Sequence, residues 1–167
     1  MPSLIDCDVH NIPPSVQALF PYLSDHWREY ITQSAFKGPV DSAYPKNAPT
    51  TARPETRPPG GGPPGSDLSL IREQVLDAWD LDYAILNCAY AVDSIHNPDT
   101  AAAMASAVND WQIAEWLDRE PRLRASIAVP IQQPEMAARE IERVGDHRGF
   151  VQIFLPVRSE ALYGNRR

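Results

Sequence analysis

The sequence predicts an α/β fold of four parallel βα units, and three observations carry that reading. Four short apolar runs recur along the chain, capped helical stripes lie between them, and one Pro- and Gly-rich segment interrupts the alternation without dividing it. Residues 4–10 are the first strand, with Leu4, Asp6, Asp8 and His10 on one face and Ile5, Cys7 and Val9 on the other. Residues 39–65 follow as an insertion holding eight of the 17 prolines and Gly60, Gly61, Gly62 and Gly65, and are expected to run as an extended, mobile loop. Ser66 or Asp67 can cap the next helix, whose apolar stripe is Leu68, Ile71, Val75, Leu76 and Trp79. Residues 83–88 are the second strand. Asn97 and Pro98 then open a long helix through Met104, Val108, Trp111 and Leu117. Residues 124–129 are the third strand, followed by a helix from Pro134 with Ala137, Ile141 and Val144 inward and Gly145 past its end. Residues 150–155 are the fourth strand. Strands that alternate with helices in this way make a parallel sheet.

Composition bounds the possibilities. The chain has 167 residues, with 43% hydrophobic and 22% charged, as in ordinary globular proteins. A complete (β/α)₈ barrel needs roughly 200–250 residues, so the expectation is a smaller α/β domain or a piece of a larger one. The net charge of −7, with no cluster of Lys or Arg, disfavours nucleic acid and anionic membranes as partners. No apolar stretch approaches the ~20 residues of a membrane helix, and no basic-then-apolar leader opens the chain. The expected location is the cytoplasm. Cys7 and Cys88 then read as two buried thiols rather than a disulfide.

Asp8-Val9-His10 is the most informative triplet. Alternate residues of a strand point the same way, so Asp8 and His10 converge near its C-terminal end, where parallel α/β enzymes place their chemistry. A carboxylate and an imidazole at that spacing can share one divalent ion, against the plainer reading of two loop hydrogen bonds. Asp6, one step deeper, is placed to orient His10 or a backbone group. His96 in the loop after the second strand, and Gln152 and Arg158 near the end of the fourth, are substrate-binding candidates. An arginine there suits a carboxylate, although a surface arginine is the ordinary alternative. His26 and His147 read as structural. Gly60-Gly61-Gly62 neither follows a strand nor leads directly into a capped helix, which argues against a phosphate loop.

Leu4-Ile5-Asp6-Cys7-Asp8-Val9-His10 resembles the first strand of the amidohydrolase-related (amidohydrolase 2) family, in its aminocarboxymuconate-semialdehyde decarboxylase-like branch. The family pattern is apolar-Asp-x-His-x-His, and Asp8 and His10 occupy its two His positions; Asp8 departs from the pattern. Asp82-Tyr83-Ala84-Ile85-Leu86-Asn87, Asn109-Asp110-Trp111, Pro121-Arg122-Leu123-Arg124, Ala138-Arg139-Glu140-Ile141 and Gly149-Phe150-Val151-Gln152-Ile153 extend the resemblance in order along the chain. It implies the first half of a (β/α)₈ TIM-type barrel, about four βα units, with the Pro-rich insertion after the first strand. It also implies a divalent metal, Zn²⁺ or Mn²⁺, whose other ligands come from later sequence. The implied activity is hydrolysis or non-oxidative decarboxylation of an aromatic or unsaturated carboxylate, in a homodimer when complete. The rival readings are a non-catalytic truncated homologue and a self-standing α/β binding domain. Continuation of the reading frame past Arg167 with a His and a late Asp would separate them.

Overall fold

The computed structural model describes residues 3–39 and 52–156. Its strands are β1 (Ile5–Val9), β2 (Tyr83–Leu86), β3 (Leu123–Ala128) and β4 (Phe150–Phe154), all parallel in one sheet of order β1-β2-β3-β4. Each lies within a residue or two of its expected run. Between β1 and the insertion stand a 3₁₀ segment (Val16–Tyr22) and helix α1 (Asp25–Ser34), which were not among the expected elements. The insertion therefore follows α1 and not β1 directly. Helix α2 (Leu68–Ile71) continues as a π-wound segment (Arg72–Asp77) and begins at Asp67, whose Oδ1 accepts from the Ser69 and Leu70 amides. Helix α3 (Pro98–Gln112) starts at Asn97, which accepts from Thr100 N–H, and passes into a second π-wound segment (Ile113–Leu117). Helix α4 (Pro134–Val144) ends at Gly145.

The core fills the space between one sheet face and these helices. Leu76, Ala84, Leu86, Met104, Val108 and Ala125 are fully buried there, and Trp111 meets Trp116 edge to face at 5.7 Å. Helix α3 also completes the polar end of β3. Asn109 receives the Ala128 N–H at 2.8 Å and donates to the Ala128 carbonyl at 2.9 Å, while Gln112 donates to the Ser126 carbonyl at 3.3 Å. Backbone groups that run past the sheet ladder thus find partners without water.

Two expectations about exposure fail for identifiable reasons. Trp79 is 69% exposed. The i→i+5 winding over Arg72–Asp77 rotates the next residues away from an α-helical stripe. Cys7 is exposed too, because β1 is an edge strand whose outer side opens into a groove shared with Trp79; Cys88 is buried, and both thiols are free.

Parts of the insertion fall outside the described residues, namely 40–51. The remainder carries a 3₁₀ turn (Pro54–Thr56) and is tied down at Glu55 and at Gly65. Gln74 donates to the Glu55 carbonyl at 2.8 Å, and Ile12 N–H donates to the Gly65 carbonyl at 3.1 Å. Gly65 has φ +80°, and a Cβ on it would stand 2.4 Å from the His10 carbonyl oxygen. Only glycine lets the returning chain lie this close to the end of β1.

Candidate functional site

Residues paired across a sheet share a face, so the register decides what β1 presents. Ile5 pairs with Tyr83 and Asp6 with Ala84, but Val9, not Asp8, stands opposite Leu86. One extra residue therefore bulges out of β1 between Asp6 and Val9. Regular alternation would have kept Asp8 on the Asp6 side, facing the helices with Ala84 and Leu86. The bulge instead puts Val9 into the core and turns Asp8 to the open face. This corrects the expected common face of Asp6 and Asp8. Asp6 still bears on its neighbour, since its Oδ1 accepts the Asp8 N–H at 2.9 Å.

Asp8 Oδ1 lies 3.4 Å from His10 Nε2, with the Asp8 side chain 72% and the His10 side chain 36% exposed. Two donors ~2.0–2.2 Å from one ion stand roughly 2.8–3.6 Å apart when their angle lies between a right angle and the tetrahedral value. The donor set and spacing fit a divalent cation. Among the described residues no group of three or more His, Cys, Asp or Glu is gathered to hold a metal, so the pair is an incomplete set.

Asp8 ends a row of polar side chains crossing all four strands. Asn87 Nδ2, just past β2, donates to Asp8 Oδ1 at 2.8 Å and to the Cys7 carbonyl at 3.3 Å. Ser126 Oγ on β3 donates to Asn87 Oδ1 at 2.5 Å. Gln152 Nε2 on β4 donates to Ser126 Oγ at 2.9 Å and to Asn87 Oδ1 at 3.3 Å. A second register shift makes the last step possible: Ala125 pairs with Phe150 but Ser126 with Gln152, so Val151 is skipped.

Gln152 is thus joined to Asp8 through the row. His96 lies elsewhere on the same end of the sheet, lining a small pocket with Val92, Ile95, Pro98, Pro130 and Gln132 that none of the row residues enters. Arg158 lies outside the described residues. His147 is at the opposite end, where its Nδ1 accepts the Gly149 N–H. Asn87 and Ser126 were not singled out as site residues from the sequence. Their signal was a polar residue in or beside an apolar strand, where burial is costly without a partner. Cys88, one residue beyond Asn87, is no candidate nucleophile, because burial pushes its thiol up to about 12.

The chain is a parallel α/β unit with a carboxylate–imidazole pair at the C-terminal end of β1. The family model described as "Amidohydrolase" matches residues 5–167, and the chain belongs to that family. It is 37% identical over 87 residues to the γ-resorcylate decarboxylase of Polaromonas sp. and 33% identical over 86 residues to that of Rhodococcus jostii. Each match covers 51% of this chain and 26% of the relative. Among solved structures, it resembles 2,6-dihydroxybenzoate decarboxylase from Rhizobium, with TM-score 0.56 and 24% identity, over 92% of this chain and 38% of that one. It also resembles 5-carboxyvanillate decarboxylase from Novosphingobium aromaticivorans in complex with manganese and 4-hydroxy-3-methoxy-5-nitrobenzoic acid. That match has TM-score 0.57 and 21% identity, over 90% of this chain and 40% of the other. The four parallel strands and the helices between them match the N-terminal part of a (β/α)₈ barrel fold. The chain spans well under half the length of these solved relatives. Among the described residues no helix is long and apolar enough to cross a membrane.

Proposed function

We propose that this chain supplies the opening part of a metal-dependent carboxy-lyase site that acts on an aromatic carboxylate. The observation carrying this reading is the 3.4 Å approach of Asp8 Oδ1 to His10 Nε2 at the C-terminal end of β1, on the open sheet face. Asp8 and His10 would hold a divalent cation, Mn²⁺ or Zn²⁺, with further ligands from outside the described residues. When bound, the cation supplies a positive charge that polarises the substrate. Asp8 brings a negative charge that favours cation binding, and Asn87 holds that carboxylate from the side. Asp6 fixes the Asp8 backbone. Gln152, at the far end of the row, and His96, on the loop after β2, are the substrate-facing candidates. Arg158 follows β4 in the sequence, where a guanidinium suits a carboxylate. Decarboxylation is favoured over hydrolysis because the relatives from Polaromonas, Rhodococcus, Rhizobium and Novosphingobium are decarboxylases. The acidic net charge supports a small-molecule substrate over nucleic acid.

The test uses protein expressed from its complete reading frame, dialysed against chelator and reloaded with Mn²⁺ or Zn²⁺. Release of CO₂ from 2,6-dihydroxybenzoate should need the metal, and Asp8→Asn or His10→Ala should lower both metal content and rate at least 100-fold. Full activity in the chelated protein or in Asp8→Asn would sink the proposal. The 167-residue chain alone is expected to retain little metal after dialysis and to show no turnover. A stoichiometric, tightly held ion in that chain would mean that further ligands lie within it or that two copies pool theirs.

A further inference from the structure

We propose that Asn87 is a positioning residue for the Asp8 carboxylate, and that Ser126 and Gln152 set the direction in which Asn87 works. Its consequence for metal affinity rests on the reading of Asp8 as a ligand.

An asparagine side chain has a donor end and an acceptor end, and here the neighbours decide which faces β1. The Ser126 hydroxyl has one proton. It accepts from Gln152 Nε2 at 2.9 Å and gives that proton to Asn87 Oδ1 at 2.5 Å. Gln152 Nε2 also approaches Asn87 Oδ1, at 3.3 Å. With its carbonyl end taken from the β3 and β4 side, Asn87 must turn its NH₂ toward β1. There it meets Asp8 Oδ1 at 2.8 Å and the Cys7 carbonyl at 3.3 Å. The reversed amide would set a carbonyl oxygen against a carboxylate and a backbone carbonyl, and would leave the Ser126 proton without an acceptor unless Gln152 reversed as well.

The chain of bonds is therefore directional, from β4 through β3 and β2 to β1. Ser126 is fully buried and Asn87 nearly so, which makes unpaired alternatives costly. Asp8, by contrast, is held at one oxygen by a buried donor while most of its side chain stays open. That is the arrangement of an outer partner orienting a ligand before the ion arrives, and such partners typically contribute 10–100-fold in metal affinity. The two register shifts support the assignment, because each brings one end of the row, Asp8 or Gln152, onto the shared face.

The test has a metal-free arm and a metal arm, both on isotope-labelled protein. Without metal, the Asn87 side-chain NH₂ should exchange slowly with solvent in NMR spectra. Ser126→Ala should speed that exchange and move the Asp8 Cγ resonance, and Ser126→Thr, which keeps the hydroxyl, should restore both. Circular dichroism melts of each variant separate this from general loss of fold. A rapidly exchanging NH₂, or an Asp8 Cγ resonance that Ser126→Ala and Asn87→Ala leave in place, overturns the proposal.

In the metal arm, Mn²⁺ should broaden signals around residues 8 and 10, and Asn87→Ala should weaken that effect about 10-fold in apparent affinity. Broadening lost in Asp8→Asn but unchanged in Asn87→Ala overturns the positioning role and keeps the metal reading. Broadening indifferent to Asp8→Asn overturns the metal reading, and the metal-free arm then decides whether Asn87 positions Asp8.

Discussion

The two ends of the sheet carry similar residue types and treat them in opposite ways. At the N-terminal end, charges are closed into pairs. Glu120, with only 5% of its surface exposed, receives Arg72 Nε at 2.8 Å and Arg122 Nε at 3.1 Å, and Arg122 also reaches Asp77 at 2.8 Å. The Arg122 hydrogen bond, with help from Arg72, holds the Glu120 carboxyl down at about 2. At the C-terminal end, Asp8 receives one amide donor, stands 3.4 Å from His10 Nε2 and is otherwise exposed, and neither side-chain amide atom of the fully buried Asn11 has a partner among the described residues. One end is saturated and braces the first three βα units. The other keeps bonding capacity in reserve, which is how barrel folds divide stability from chemistry.

The largest expected effect breaks the saturated end. Glu120→Ala should destabilise the chain by about 2–3 kcal/mol in urea unfolding, less than a fully buried pair would cost because both arginines keep contact with water. A loss under ~1 kcal/mol would mean that this end is not the brace. The same group sets an acid limit. Its folded pKa of about 2 lies below the ordinary 4.5, so its contribution is complete above pH 4.5 and is lost as pH falls from there toward 2. Glu120→Gln should flatten that part of the stability–pH curve.

Gly65→Ala comes next, at about 1–3 kcal/mol, because the new Cβ would meet the His10 carbonyl at 2.4 Å and the backbone sits at φ +80°. It should also shift the His10 ring resonances; an unchanged melting temperature with unchanged resonances would show that the insertion does not seat β1. Asp8→Asn, at the open end, should change stability by no more than ~0.5 kcal/mol, and a much larger loss would erase the contrast between the two ends.

The smallest effect is chemical. Cys7 should react promptly with a thiol reagent and Cys88 only on unfolding, since burial pushes its thiol up to about 12. Cys7 also lines the groove beside the β1 edge, and Ile5, Val151, Ile153 and Leu155 leave apolar surface at the two edge strands. Light scattering should find a mass that rises with concentration, with Cys7 labelling slowing in step. A monodisperse monomer labelled at the same rate throughout would favour the self-standing domain.

Much of this was written in the sequence because it depends on neighbours a few residues apart. The Asn97-Pro98 start, the Asp67 cap and the apolar runs fixed the order of strands and helices, and that order implied a parallel sheet with Asp8 and His10 at one end. The motif series also pointed to the family that matches residues 5–167. Tertiary structure decided the rest. A bulge in β1 moved Asp8 to the open face, a register shift brought Gln152 opposite Ser126, and a π-wound segment exposed Trp79. Period-2 and period-3.6 patterns assume uninterrupted winding, and one inserted residue reverses every side chain beyond it. Asn87, Ser126, Gln152 and Asp8 are far apart in the chain, so only strand pairing could show that they form one row.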